Sequence, residues 1–177
     1  MVKGILTEEG RMVTEHEEIE QVMANKLKKL FPYLISSNKS AFISRRLITD
    51  NVMIVYETLH TMKTRQKGRV GSIALKLDMA KAYDRIEWKL LEGMMRRLGF
   101  GERWIGLIMQ CLNSISYSIL LNGEPGRVIK PTRGIRQGDL ISPYLFILCA
   151  EGLSSLINMA ERSKKIRGVV VAGMEQG

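Results

Sequence analysis

The residue best suited by type and setting to metal chemistry is Asp78. It closes the run SIALKLD, residues 72–78, which is apolar and partly alternating and so predicts a strand ending at the aspartate. A carboxylate at the end of a buried strand is exposed on a rigid support, and that suits a hard cation such as Mg²⁺. Asp84 lies six residues on, after Lys81, Ala82 and Tyr83. The plainer reading is that Asp78 caps the following turn and Asp84 pairs with Arg85 or Lys81. Two-metal phosphoryl transfer needs several carboxylates around ions ~4 Å apart, so one aspartate is not such a centre. The second candidate is RGIRQGD, residues 133–139. Gly134 and Gly138 would let backbone approach a ligand closely, Arg136 supplies charge, and Gln137 can donate and accept hydrogen bonds. This is the make-up of a phosphate- or nucleotide-facing loop, or of a plain loop leading to a helix N-terminus.

Periodicity predicts the elements that position these residues. Residues 5–14 read as a short hairpin turning at Glu9-Gly10. Thr14 with Glu17 has the form of a capping box. A helix follows, with Ile19, Val22, Met23, Leu27, Leu30 and Phe31 on one face and Pro32 as its stop. Lys26, Lys28 and Lys29 fall mostly off that stripe, and residues 33–46 read as loop. A second helix, capped by Thr49 or Asp50, carries Val52, Val55, Leu59 and Met62 on one face. KTRQKGR, residues 63–69, has four bases in seven residues and reads as a solvated turn. Two helices come after Asp84. One, residues 87–98, turns Trp88, Leu91, Met95 and Leu98 inward and ends at Gly99; the other is marked by Trp104, Ile105, Ile108 and Leu112. SYSILLNGE and RVIKPT around Asn122-Gly123 predict a β-hairpin. Ser142-Pro143 opens a helix as N-cap and first residue, with Tyr144, Leu145, Leu148, Gly152, Leu153, Leu156 and Ile157 as its buried stripe. GVVVAG reads as a last strand. Long helices with few strands predict the α+β class.

Composition narrows the classes. The 177 residues are 45% apolar and 25% charged, which excludes disordered, collagen-like and coiled-coil chains. The apolar run Tyr144 to Ala150 is too short for a bilayer span, and MVKGILTEEG lacks the features of a signal peptide. Cys111 and Cys149 cannot build a disulfide framework, so the expected setting is reducing and intracellular, the nucleus included. With His16 and His60 they have no zinc-finger spacing. Net charge is +9, unevenly spread: residues 1–22 have two bases and six acids, leaving 25 bases and 12 acids, or +13, beyond them. A polyanionic partner is the physical reading of that excess.

LDMAKAYDRIEW followed some fifty residues later by RGIRQGDLISPYLF closely resembles the palm of reverse transcriptases of non-LTR (LINE-type) retrotransposons. ISSNKSAFISRRLITDN resembles the finger segment that precedes that palm, and YSILLNGEPGRVIKPTRG matches in order and spacing. The likeness runs from about Met23 to Ala172 and is closest to the LINE type abundant in plant genomes. It implies a right-hand polymerase that makes DNA on an RNA template from a DNA primer, with Mg²⁺ and deoxynucleoside triphosphates. It implies that Asp78 is the first metal-binding, catalytic aspartate, and that Met79 and Ala80 lie near the triphosphate. Tyr83 matches the aromatic that excludes a ribose 2′-hydroxyl. Arg136, Gln137 and Gly138 match the nucleotide and template pocket. Asp84 and Asp139 belong to the motifs with no metal role. The implied organisation is an acidic leader at 1–22, partial fingers at 23–71 and an incomplete palm at 72–177, with no thumb. No membrane partner is implied.

Departures from the family pattern bear on activity. The paired aspartate of the second metal site is expected shortly after IRGVVVA, and the chain stops at Gly177 without it. The Arg-Pro-Ile-Ser segment whose arginine grips the triphosphate is missing near Val22-Met23, where the apolar stripe stays in register and predicts one fused helix. Lys39 stands where relatives have Gln, Arg45 where they have Gly, and Leu140 where they have Pro. Gly at position 45 would serve a backbone conformation closed to other residues. The expectation is a polymerase fragment inactive by itself. The alternatives are a non-catalytic nucleic-acid-binding remnant or a pseudogene product, the latter with aggregation-prone strand surface.

Overall fold

In the computed structural model the described residues are 5–7, 10–64 and 71–168. The chain opens on a ribbon of β1 (Ile5–Leu6) and β2 (Met12–Val13), antiparallel as the hairpin pattern predicts. Helix α1, His16–Leu34, then runs unbroken across Val22-Met23. Residues 19, 23, 27 and 31 recur every fourth position, so Ile19, Met23, Leu27 and Phe31 fall on one buried face, with Ala24 beside them. The fused helix is present. Leu30, expected on that face, lies on the flank and is exposed. The capping box is not formed: Glu15 is the N-cap and makes no side-chain cap bond. Arg11 instead ties the ribbon to the helix through both oxygens of Glu18, each at 2.8 Å.

Pro32 does not stop α1. It removes one intrahelical donor, and the last turn still closes through Ile35 N–H to the Phe31 carbonyl. Beyond it Arg46 acts as a clamp. Its guanidinium donates to the carbonyls of Ser36 and Lys39 at 2.6 and 2.7 Å and to those of Ile35 and Pro32 at 3.0 and 3.4 Å. The next residue back, Arg45, sits at φ +66°, in the left-handed region. An L side chain costs roughly 1–2 kcal/mol there, partly offset by the entropy a glycine would lose. Arg45→Gly is therefore expected to raise stability by about 1 kcal/mol, read as a higher urea midpoint. An unchanged or lower midpoint would contradict that reading of the conformation.

Helices α3 (Trp88–Arg97), α4 (Glu102–Ser114) and α5 (Ser142–Arg162) build the rest of the core. The expected inward positions hold: Leu91, Met95, Ile105, Ile108 and Leu112 are buried, with Trp88, Leu98 and Trp104 packed against them. α3 ends as its glycine predicts, with Gly99 N–H on the Arg96 carbonyl and Phe100 N–H on that of Met95. Arg96 bridges α3 to α4 by bonding Glu92 at 2.6 Å and Glu102 at 2.8 Å. These bonds hold Glu102 below the usual carboxylate range and push Arg96 up.

α5 packs on α1 and α3. It begins one residue earlier than Ser142-Pro143 suggests, with Ile141 as N-cap. Leu145 and Leu148 are buried as expected, but Leu153, Leu156 and Ile157 are exposed, because the core that covers the first half of the helix ends before them. At 21 residues α5 is long and apolar enough, by length and composition alone, to cross a membrane, which corrects the inference from its short apolar run. In this structure its first half is core, and Glu151 within it is paired with Lys39 at 2.9 Å.

Two expected features differ. Helix α2, Ile48–Thr64, forms, yet none of its residues is buried; Val52, Val55 and Leu59 have no facing element among the described residues. Residues 72–78 are not a strand. Ile73, Leu75 and Leu77 alternate as a strand would, but Ile73 is 91% exposed and nothing described hydrogen-bonds the segment. A strand exists only with a neighbour to take its backbone groups. The last strand, GVVVAG, and most of KTRQKGR lie outside the described residues. The remaining sheet is the hairpin β3 (Tyr117–Leu121) and β4 (Glu124–Ile129), turning at Asn122-Gly123 with φ +51° and +87°. That pair of positive values is the type I′ turn the dipeptide predicts. Among the described residues the fold is helical with two small ribbons, a leaner strand content than the α+β reading.

Candidate functional site

Residues 80–85 form a turn between the extended segment and α3. The glycine-punctuated loop docks on it through the backbone. Gly134 N–H donates to the Ile86 carbonyl at 2.7 Å and Ile135 N–H to the Tyr83 carbonyl at 3.0 Å. Trp88 Nε1–H donates to the Gly134 carbonyl at 2.7 Å. Gly134 is at φ +86°, and a Cβ there would lie 3.0 Å from the Asp84 carbonyl oxygen and 3.2 Å from its Cα. Only glycine brings the two backbones this close. The buried side chains of Ile86 and Ile135 seal the contact. Two motifs some fifty residues apart are therefore one structural unit.

Behind the turn, the ring of Tyr83 stacks on that of Phe146 from α5, with centroids 5.2 Å apart and planes 5° from parallel. Phe146 in turn lines a cleft of about 1130 Å³, together with Asp78, Met79 and Ala80. Arg85, Arg97 and Arg162 also line it. The sequence reading did not place these arginines, or Phe146, at a site. Arg97 and Arg162 occupy the last turns of α3 and α5, where a cation complements the helix dipole, so locally they read as helix ends. Exposed carboxylate and guanidinium groups stand at the edges of the cleft.

The other candidates do not join it. Arg136 lines a separate pocket of about 440 Å³ with Asp139 and Tyr117, its Nε 3.7 Å from Asp139 Oδ1. Gln137 and Gly138 are exposed and are not part of the cleft lining. The loop is attached by Gly134 and Ile135, and the residues after them point the chain toward α5. Asp84 is exposed and gives its backbone to the contact with Gly134, in keeping with a loop-ordering role. Asp139 does likewise: its carbonyl accepts from Ser142 N–H ahead of α5.

Asp78 is an oxygen donor of the right chemistry for a hard divalent cation. Among the described residues no three His, Cys, Asp or Glu side chains come together, so Asp78 by itself does not make a metal centre. Cys149, also in the cleft lining, and Cys111 are both pushed up to about 11, chiefly by burial. In both, burial favours the neutral thiol over the thiolate.

Residues 5–169 match the family described as reverse transcriptase (RNA-dependent DNA polymerase), and the chain belongs to that family. Its relatives place it among the non-LTR retrotransposon type. It is 27% identical over 160 residues to a transposon TX1 uncharacterized 149 kDa protein of Xenopus laevis, covering 89% of this chain and 12% of that protein. It is 28% identical over 113 residues to a retrovirus-related Pol polyprotein from type-1 retrotransposable element R2 of Nasonia vitripennis, covering 64% of this chain and 11% of that one. A 53-residue stretch is 47% identical to an uncharacterized mitochondrial protein of Arabidopsis thaliana, covering 30% of this chain and 43% of that protein. The chain spans less than half the length of each of these curated relatives. The family implies a polymerase-like fold, a divalent metal, and binding of nucleic-acid template and primer and of nucleotides.

Proposed function

We propose that this chain supplies part of the fingers and the first part of the palm of an RNA-directed DNA polymerase of a LINE-type retroelement. The observation that carries it is the docking of the Gly134–Ile135 backbone on Tyr83 and Ile86, which makes one floor of the two palm motifs. In this reading Asp78 is a ligand to Mg²⁺, which when bound supplies Lewis-acid stabilisation of the transferring phosphate. Met79 and Ala80 border the triphosphate. Tyr83, held flat against Phe146, bars a ribose 2′-hydroxyl by its bulk.

The test is primer extension on an RNA template with Mg²⁺ and deoxynucleoside triphosphates. Product that disappears in Asp78→Ala establishes catalysis by this chain. A second reading, a non-catalytic nucleic-acid-binding protein, is favoured by the isolation of Asp78 among the described residues. Absence of product together with salt-dependent binding to an RNA–DNA duplex decides for that second reading.

A further inference from the structure

The segment that leads into the 80–85 turn carries a self-complementary pattern. Ile73, Leu75, Leu77 and Met79 alternate with Ala74, Lys76 and Asp78. An extended chain therefore sets the large apolar side chains on one side and two opposite charges on the other. All of these residues are exposed, Ile73 and Leu75 at 91% and 78%. Among the described residues, the backbone of 72–79 makes no hydrogen bond and neither Lys76 nor Asp78 has an ion-pair partner. The apolar row runs into an apolar surface: Met79 lines the Asp78 cleft with Leu90 of α3 and Leu153 and Leu156 of α5, all exposed. Unpaired backbone groups beside an apolar row are a template for another strand.

The charges decide which strand fits. A parallel copy in register would set Lys76 on Lys76 and Asp78 on Asp78. An antiparallel copy centred on Lys76 or on Asp78 also sets like charges together. Centred on Leu75, it sets Lys76 against Ala74 and Asp78 against Ser72. Centred on Leu77, it sets Lys76 against Asp78 twice, Leu75 against Met79 twice and Leu77 against itself. Of these registers only the last pairs both charges with their opposites. It is two-fold symmetric, so each copy offers the other the same surface.

We propose that two copies of this chain associate through residues 75–79 as an antiparallel two-stranded ribbon centred on Leu77. Its apolar side, Leu75, Leu77 and Met79 of each copy, lies toward the exposed leucines of the clefts, which give the ribbon the covering face that an isolated hairpin lacks. With Asp78 paired to Lys76 of the second copy, that carboxylate is closed to a cation. The proposal does not rest on the polymerase reading, and its failure would leave that reading intact.

The test is sedimentation equilibrium of the full chain from about 1 to 100 μM. The mass is expected to rise from one chain toward two. Lys76→Asp and Asp78→Lys each place like charges at both pairs and are expected to weaken the dimer about tenfold. The double variant Lys76→Asp/Asp78→Lys restores both pairs and should dimerise as the unsubstituted chain does. An equal mixture of the two single variants should form the mixed dimer. Both side chains are exposed, so the core is untouched. Leu77→Cys is expected to cross-link to itself under mild oxidation; Ile73→Cys is not, since its two copies would lie ~27 Å apart along the ribbon. A monomer throughout, with slow hydrogen exchange at 75–79, would overturn the proposal by showing that another part of the same chain covers the segment. A monomer with fast exchange, single variants that associate as the unsubstituted chain does, a double variant that stays weak, growth beyond two chains, or a cross-link at residue 73 would each overturn it too.

Discussion

Gly134→Ala is expected to destabilise the protein by about 3 kcal/mol and to open the contact between the 80–86 turn and the 133–139 loop. An alanine at φ +86° costs roughly 1–2 kcal/mol in backbone strain alone. The added methyl would also meet Asp84 backbone at 3.0 and 3.2 Å, and backbone there cannot swing aside as a flexible side chain could. The loop must lift, loosening the bonds from Gly134 N–H to Ile86 and from Ile135 N–H to Tyr83. Each such bond contributes about 1 kcal/mol net. Gly138 is the internal control: it sits at φ +105° with no atom within 4 Å of the place a methyl would take, so Gly138→Ala should show the strain cost without the collision. Urea unfolding of both variants, with hydrogen exchange at Ile135, separates the two contributions. Equal losses for the two alanines would mean that the close approach at Gly134 contributes nothing.

Glu151→Ala is expected to cost about 3 kcal/mol, the low end for removing one partner of a buried ion pair. Glu151 and Lys39 are in contact at 2.9 Å with side chains only 12% and 16% exposed. The same carboxylate accepts from Ser36 N–H and Oγ–H, and Lys39 also donates to Ser154 Oγ. Truncating the acid takes the carboxylate from the Lys39 ammonium and the Ser36 N–H at a largely buried site, while the Ser36 hydroxyl can still donate to Asn38 Oδ1 at 2.6 Å. The pair fastens the turn after α1 to the middle of α5, so the loss should also raise hydrogen exchange over residues 36–46. Lys39→Gln/Glu151→Gln removes both charges while keeping donors and acceptors, and should recover most of the stability. A double variant no better than Glu151→Ala would show that packing, not the unpaired charge, sets the cost.

The helices were legible because their signals are local. A fourfold recurrence of apolar residues from Ile19 to Phe31, a glycine after Leu98 and an Asn-Gly dipeptide each act within one turn of chain, and each appears as expected. Arg45 is a finer case. Its departure from glycine pointed to a special backbone conformation, and the residue indeed adopts positive φ. Two of the differences are features that need a distant partner. SIALKLD has the pattern of a strand but no neighbour among the described residues, and α2 has an apolar face with nothing described against it. The Thr14 capping box is a local signal that also fails, Glu15 taking the N-cap position without a side-chain bond.

The candidate site divides along the same line. Residue order alone determined which two motifs matter and that Asp78, Met79, Ala80 and Tyr83 belong with one of them, because those identities are written in consecutive positions. Only the tertiary structure decided that Gly134 is the contact point between the motifs, that Arg136 faces a different pocket from Asp78, and that Phe146, Arg97 and Arg162 border the cleft. The +13 of residues 23–177 likewise says nothing of where on the surface that charge lies. A sum of charges has no direction. Folding places part of it, bringing Lys26, Lys28 and Lys29 of α1 together with Arg45 and Arg46 around one concavity.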